Sequence, residues 1–289
     1  MVNFLLYMAT VFIWGSTWYA IDFQLGVVDP GVSLAYRNFL AAGLAFVWCI
    51  ALRKSLRFDA HTHGYFLLLG AFLFGLNYLA AYEAQFHISS GLNAIGFSSM
   101  VWMNIVNARL FFGRRVTRNT YIGAGFGIAG ILLVFLPEMQ DVSLSDRVAV
   151  GLFFSLLATV LASLGNTASQ AVQAAGVPVM QANAWGMLYG ALLNAGLALV
   201  RGKSFNFDPS PDYMISLLYL SVFGSVVAFA CYLTLLGRIG LERAGYVTVM
   251  IPIVALTFSV AFEGLAVSLN IIAGLALAVV GNIFILSRK

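Results

Sequence analysis

The chain has 289 residues, 61% of them hydrophobic and 9% charged, against about 45–50% apolar and roughly a quarter charged in a soluble domain. That balance excludes a water-soluble fold. The formal net charge of +4 sits in short clusters between apolar runs, with no basic patch interleaved with exposed aromatics, so it reads as membrane topology and not as a nucleic-acid surface.

Taken in order, the apolar runs predict helices near 3–21, 31–52, 64–84, 91–112, 119–136, 148–170, 179–200, 213–236, 242–262 and 268–287, each close to the roughly twenty residues a helix needs to cross a bilayer. Barrel strands would instead alternate over about ten residues. The fold class is therefore an all-α membrane protein of ten transmembrane helices. The first run lacks a basic flank before it and a small-residue cleavage site after it, so it is expected to stay as the first helix. Pro30, Pro137, Pro178, Pro209 and Pro211 fall in the predicted connections, and Pro252 alone lies inside a span, where it is expected to kink the ninth helix. Cys49 and Cys231 lie within apolar runs and read as packing residues with no disulfide or redox role.

Arg53, Lys54, Arg57, Arg114, Arg115, Arg118, Arg238, Arg243, Arg288 and Lys289 fall on one side of the predicted spans, and Arg147, Arg201 and Lys203 on the other. The richer side is cytoplasmic by the positive-inside rule, which puts both termini inside. Gly113, Gly123 and Gly130 recur as Gly264, Gly274 and Gly281 at a constant offset of 151 residues, and Phe111 recurs as Phe262. The chain therefore divides into a first five-helix repeat over 1–144 and a second over 145–289. An odd number of crossings in each inverts the second relative to the first and places a substrate site between them, near the midplane.

Candidate site residues are those that suit neither lipid nor the interface. Arg37 lies inside the second span, where a cation costs about 2.5–3.5 kcal/mol on insertion scales; it either snorkels to the interface or serves a cavity or gate. Asn93, Asn104, Asn107 and Asn166 belong to polar stripes of the fourth and sixth spans that are kept from lipid. The cavity candidates are Trp14, Trp18, Asn38, Tyr78, Tyr82, Met100, Trp102, Asn166, Trp185, Tyr189, Tyr232 and Tyr246; Arg37, Glu83, Pro252 and Glu263 are the gating or coupling candidates. An aromatic wall would hold an apolar side chain while amides bind an ammonium and a carboxylate; the same wall would suit an aromatic drug cation or a nucleoside. His61, His63 and His87 lie in connections, and neither a metal nor another cofactor is expected.

Several motifs carry a resemblance. Leu79-Ala80-Ala81-Tyr82 is followed by Ile88-Ser89-Ser90-Gly91-Leu92-Asn93-Ala94, and the second half holds Tyr232, the run Gly237-Arg238-Ile239-Gly240-Leu241-Glu242-Arg243-Ala244, then Pro252 and Glu263-Gly264. With Trp14-Gly15-Ser16 and Arg37, this resembles the drug/metabolite transporter superfamily of EamA type over essentially the whole chain. Within it the aromatic-rich chain is most similar to the YddG branch of aromatic and neutral amino acid exporters. The resemblance implies ten helices, inverted repeats, a central cavity and export of small metabolites by a monomer in the bacterial inner membrane. One departure is that Val101 and Phe112 stand where the second half has Pro252 and Glu263. An intramembrane enzyme would need a buried nucleophile and base, an aspartate pair or a metal cluster, and a receptor or assembly subunit would need a longer extramembrane connection.

Overall fold

The computed structural model describes residues 1–113, 118–140, 145–240, 244 and 246–286, with all their side chains except those of residues 120, 124, 135–140, 145, 246, 249, 282, 285 and 286. Every regular element among the described residues is a helix: α1 (Val2–Asp22), α2 (Pro30–Ala51), α3 (Ala60–Gln85), α4 (Ser90–Phe97), α5 (Met100–Phe112), α6 (Arg118–Gln140), α7 (Ser145–Ala174), α8 (Val179–Val200), α9 (Pro211–Ile239), α10 (Tyr246–Phe262) and α11 (Leu269–Leu286). Val2–Asp22, Pro30–Ala51, Ala60–Gln85, Asp146–Ala174, Val179–Val200 and Pro211–Ile239 are long and apolar enough to cross a bilayer; Tyr121–Val134, Met250–Phe262 and Leu269–Gly281 are shorter apolar stretches. Large apolar side chains such as Trp48, Leu110, Phe153 and Leu269 point outward, as a lipid-facing surface requires and a water-facing one does not. Cys49 and Cys231 are free thiols.

Several helix starts follow from local chemistry. Asp29 caps α2 by accepting from the Gly31 amide at 2.9 Å, with Pro30 at the first helical position. Asp59 accepts from the Thr62 amide at 2.8 Å and begins α3 earlier than its apolar run suggests. Hydrogen bonds from Thr62 hold the Asp59 carboxyl below the usual carboxylate range.

The structure departs from the sequence expectation in three helices. The predicted span over 91–112 is broken at Ser98 and Ser99, whose hydroxyls donate back to the carbonyls of Ile95 at 2.6 Å and Gly96 at 2.8 Å and so compete with the helical ladder. α3 and α9 each contain a π-helical stretch, Gly70–Leu76 and Leu220–Val227, at matching places in the two halves. In each, a side chain from another helix takes up a carbonyl: Asn38 Nδ2 donates to Phe74 O at 2.7 Å, and Trp14 Nε1 donates to Gly224 O at 3.1 Å. The wider π turn thus keeps its backbone polar groups paired where water is absent.

The helix packing is reciprocal. α2 meets α8, α4 meets α10 and α6 meets α11; α3 packs on α8 as α2 packs on α9, and α1 packs on α10 as α4 and α5 pack on α7. Four of the repeated glycines, Gly123, Gly130, Gly274 and Gly281, lie in one of these contacts. A Cβ on Gly130 would stand 2.6 Å from Gly274 O, and one on Gly281 would stand 2.5 Å from Gly123 O. Each glycine meets the other's counterpart, which is the pattern of a two-fold contact between like surfaces.

Candidate functional site

At the centre lies a cavity of about 60 Å³, walled by residues from α1, α2, α3, α4, α5, α7, α9 and α10. With about 10–15 Å³ needed per water-sized occupant, it has room for a few small molecules and would have to widen to admit an amino acid. Its wall is largely aromatic: Trp14, Trp18, Tyr78, Phe97, Phe229 and Tyr232. Trp14 meets Phe229 and Tyr232 with ring centroids 4.8 Å apart in both pairs, and Trp18 meets Phe97 at 5.3 Å, distances at which aromatic pairs attract in edge-on or tilted arrangements.

Arg37 is the charged residue of this wall. It is 2% exposed, and among the described residues no carboxylate pairs with it. Its Nε donates to Ser225 Oγ at 3.1 Å, its Nη2 to Tyr78 OH at 3.1 Å and its Nη1 more loosely to Tyr82 OH at 3.4 Å, while its Cζ lies 4.2 Å from the centre of the Tyr78 ring. Neutral hydroxyls and a π face offset part of the several kcal/mol that burying an ion costs. Of the five N–H donors a guanidinium carries, these bonds engage three, and the remaining two suit the fork geometry of a carboxylate or phosphate.

Two amides complete the polar part. Asn166 Nδ2 contacts Tyr232 OH at 3.2 Å, Met100 Sδ at 3.3 Å and Asn104 Oδ1 at 3.4 Å, and Asn77 Nδ2 donates to Leu73 O at 3.0 Å. Both line the cavity, and both keep a buried Oδ1 without a hydrogen-bond partner. Such groups are acceptors held ready for a donor, since leaving one unmet costs about 1–3 kcal/mol.

Known proteins match this chain over most of its length. The profile of the EamA-like transporter family matches twice, over residues 2–136 and 149–287. The chain belongs to the EamA-like transporter family. It is 26% identical over 280 residues to the "Uncharacterized inner membrane transporter YedA" of Escherichia coli K12, covering 94% of this chain and 86% of that one. It is 23% identical over 266 residues to the protein PagO of Salmonella typhimurium LT2, covering 91% and 86%. A crystal structure shares the fold with a TM-score of 0.73 at 17% identity, over 98% of this chain and 95% of that chain. Family membership makes the chain a multi-pass membrane transporter and not an intramembrane enzyme.

In this EamA-like chain the sequence-derived candidates fall into distinct groups. Trp14, Trp18, Arg37, Tyr78, Met100, Asn166 and Tyr232 converge on the cavity. Tyr82 stands behind Arg37 and Asn38 braces the π turn of α3, so each touches the wall from outside it. Trp102 packs away from the cavity over Gly127. Trp185 and Tyr189 form a separate cluster with His63: Tyr189 OH lies 2.8 Å from His63 Nδ1, and Trp185 Nε1 donates to Leu56 O at 3.2 Å. The Tyr246 side chain lies outside the described residues. Pro252 is buried within α10. Glu83 lies 3.9 Å from His87, whereas Glu263 accepts from the Ser90 amide at 3.2 Å, from the Ser90 hydroxyl, and from Ser259 Oγ at 3.0 Å.

Sequence reading missed Thr17, Asn77, Phe97 and Phe229, all in the wall. For Asn77 a signal existed, since a lone amide in an apolar run must find a partner. For Phe97 and Phe229 none did, because phenylalanine in a spanning helix looks the same whether it faces lipid, a neighbour or a chamber.

Proposed function

We infer that this chain exports small amphipathic metabolites bearing a carboxylate, aromatic and neutral amino acids above all, from cytoplasm to periplasm across the bacterial inner membrane. The observation that carries this reading is Arg37, a buried guanidinium at an aromatic-walled cavity with two N–H donors and no acidic partner among the described residues. An arginine stays charged at any physiological pH, so an anionic group on the cargo is its natural complement. The Oδ1 atoms of Asn77 and Asn166 suit an ammonium, and the rings suit an apolar side chain. An aromatic drug cation fits less well, because Arg37 would repel it.

The same reading gives ten crossings with both termini in the cytoplasm, two inverted halves over 1–144 and 145–289, and a monomer that exposes one midplane site alternately to each side. The reciprocal helix packing supports the two halves. α4 packs closely along α10, while α5, the continuation of the same predicted span, touches α10 only marginally. In the predicted orientation this closes the periplasmic end and loosens the cytoplasmic one.

Purified protein in liposomes, given a panel of radiolabelled amino acids, nucleosides and aromatic cations with and without a pH gradient, tests the reading. Uptake of aromatic and neutral amino acids above empty vesicles supports it. Movement of cations alone, or of nothing in the panel, contradicts it.

A further inference from the structure

α4 is only eight residues long, and both of its ends are engaged. Its last residue, Phe97, lies in the cavity wall against Trp18, and the break at Ser98 and Ser99 follows at once. Its first turn is fastened to the end of α10. The Ser90 amide donates to Glu263 Oε2 at 3.2 Å and the Ser90 hydroxyl donates to Glu263 Oε1. The Gly91 amide donates to Ser259 Oγ at 2.8 Å, and that hydroxyl donates in turn to Glu263 Oε2 at 3.0 Å. Amides in the first turn of a helix have no partner in the helix itself, so α10 completes the capping that Ser89 begins by accepting from the Leu92 amide. Ser90 and Ser259 are fully buried. Gly91 permits the approach, since a Cβ there would stand 2.8 Å from Ser259 Oγ and 2.9 Å from Leu256 Cδ2.

α10 follows the same plan. Ile251 lies in the cavity wall, Pro252 comes next, and the helix then runs to Phe262 and the acceptor at Glu263. A proline inside a helix deprives the carbonyl four residues back of its amide partner and weakens the helix there. Two segments, about 12 and 16 Å long, thus each have a weak point at the depth of the cavity and are fastened to one another at the far end. A neighbouring tie differs in kind. Asp22 of α1 accepts from Gln85 Nε2 of α3 at 2.5 Å, and the same amide donates to Trp18 O at 2.8 Å; that tie stays within the first half of the chain, whereas Glu263 reaches across the halves. The equivalent positions of the other half lack the parts. At the offset of 151 residues, Ala108 and Phe112 stand for Ser259 and Glu263, and neither side chain carries a hydrogen-bond acceptor.

We propose that α4 and the part of α10 beyond Pro252 form a gate over one end of the cavity, with Ser259 and Glu263 as its bolt. That end is shut at rest. It opens when Ser90 and Gly91 leave their acceptors together and the two segments swing about the Ser98 and Ser99 break and about Pro252. Placing this end on the periplasmic side rests on the proposed function, and the bolt itself does not. An exporter bolted on its exit side waits open toward the cytoplasm, where its cargo is.

Spin labels at the exposed positions Phe86→Cys and Val267→Cys, in nanodiscs on a background with Cys49→Ala and Cys231→Ala, report the separation of these ends by electron–electron distance measurement. The measurement needs no cargo and no assigned sidedness, so failure of the bolt is distinguishable from failure of the amino acid reading. The labelled background should give one short distance. Ser259→Ala combined with Glu263→Ala should lower the closed-to-open ratio by about a hundredfold, roughly tenfold for each charge-assisted bond removed, and bring up a longer distance. Glu83→Gln, which removes the charge of a neighbouring helix-end acid outside the bolt, should leave the single distance in place. Hydrogen exchange of the otherwise unmodified protein adds a check that does not depend on the variants folding: the Ser90 and Gly91 amides should exchange as slowly as amides inside a helix. A double variant that keeps the single short distance, or rapid exchange at Ser90 and Gly91, would overturn the proposal.

Discussion

The guanidinium of Arg37 and the carboxyl groups of Asp22 and Glu263 share one membrane-embedded bundle, yet among the described residues no ion pair joins them. Arg37 is surrounded by neutral partners, the hydroxyls of Tyr78, Tyr82 and Ser225 and the face of Tyr78. Glu263 accepts from Ser90 and Ser259, and Asp22 accepts from the Gln85 amide. The difference lies in where each finds its complement. A guanidinium cannot lose its proton, so under the proposed function the carboxylate of the cargo complements its charge at the cavity. The carboxyl groups are met by N–H and O–H donors of the chain itself, so their charge is compensated in place. On the proposed function the first assembly is built to meet a ligand, while the second ties helix ends together.

Substitutions can break this contrast or sharpen it. The largest effect is expected from Arg37→Gln, which removes the charge at the cavity: about 3 kcal/mol, or roughly a hundredfold in apparent affinity for a carboxylate-bearing substrate, read as the half-saturating concentration for transport in liposomes. Tyr78→Phe keeps the ring under the guanidinium but removes the hydroxyl that orients Nη2, and should cost about 1.5 kcal/mol, close to tenfold, in the same assay. Asp22→Ala should leave binding by Arg37 intact while lowering unfolding stability by about 1.5 kcal/mol through loss of the acceptor for Gln85 Nε2, as thermal denaturation in detergent would show. The smallest effect belongs to a position in neither assembly. Asp29→Ala should lower unfolding stability by about 1 kcal/mol through loss of the α2 cap, with substrate affinity unchanged, as thermal denaturation in detergent beside the transport assay would show.

Much of the architecture is legible in the sequence because the bilayer leaves few alternatives. Run length and the ban on unpaired backbone polar groups fix helices, and four of the repeated glycines turn out to meet crosswise in the α6–α11 contact, Gly130 with Gly274 and Gly281 with Gly123. Arg37 is legible for the same reason, since a cation in an apolar run has to be explained. The π-helical stretches are not, because the residues of Gly70–Leu76 and Leu220–Val227 would serve an ordinary helix equally well; the wider turn is fixed by Asn38 and Trp14 reaching in from other helices. The break at Ser98 and Ser99 rests on two hydroxyls choosing their own backbone over solvent-free space, a choice that many serines in spanning helices do not make. Trp102, Trp185 and Tyr189 have the composition of cavity residues but sit elsewhere, as the rotation of each helix about its axis is set by tertiary packing. The meeting of Ser90 with Glu263 joins residues 173 apart in the chain, and Glu263 alone reads as an ordinary helix-end acid.

The central claim is that Arg37 awaits the carboxylate of a small amphipathic substrate, and one comparison addresses it directly. Binding of aromatic amino acids and of their carboxamides, identical but for the missing negative charge, can be measured by calorimetry on purified wild-type protein and on Arg37→Gln. The acids should bind the wild type roughly a hundredfold more tightly than the amides, and Arg37→Gln should erase that preference. Equal binding of acid and amide to the wild type, or a preference that survives in Arg37→Gln, would contradict the account.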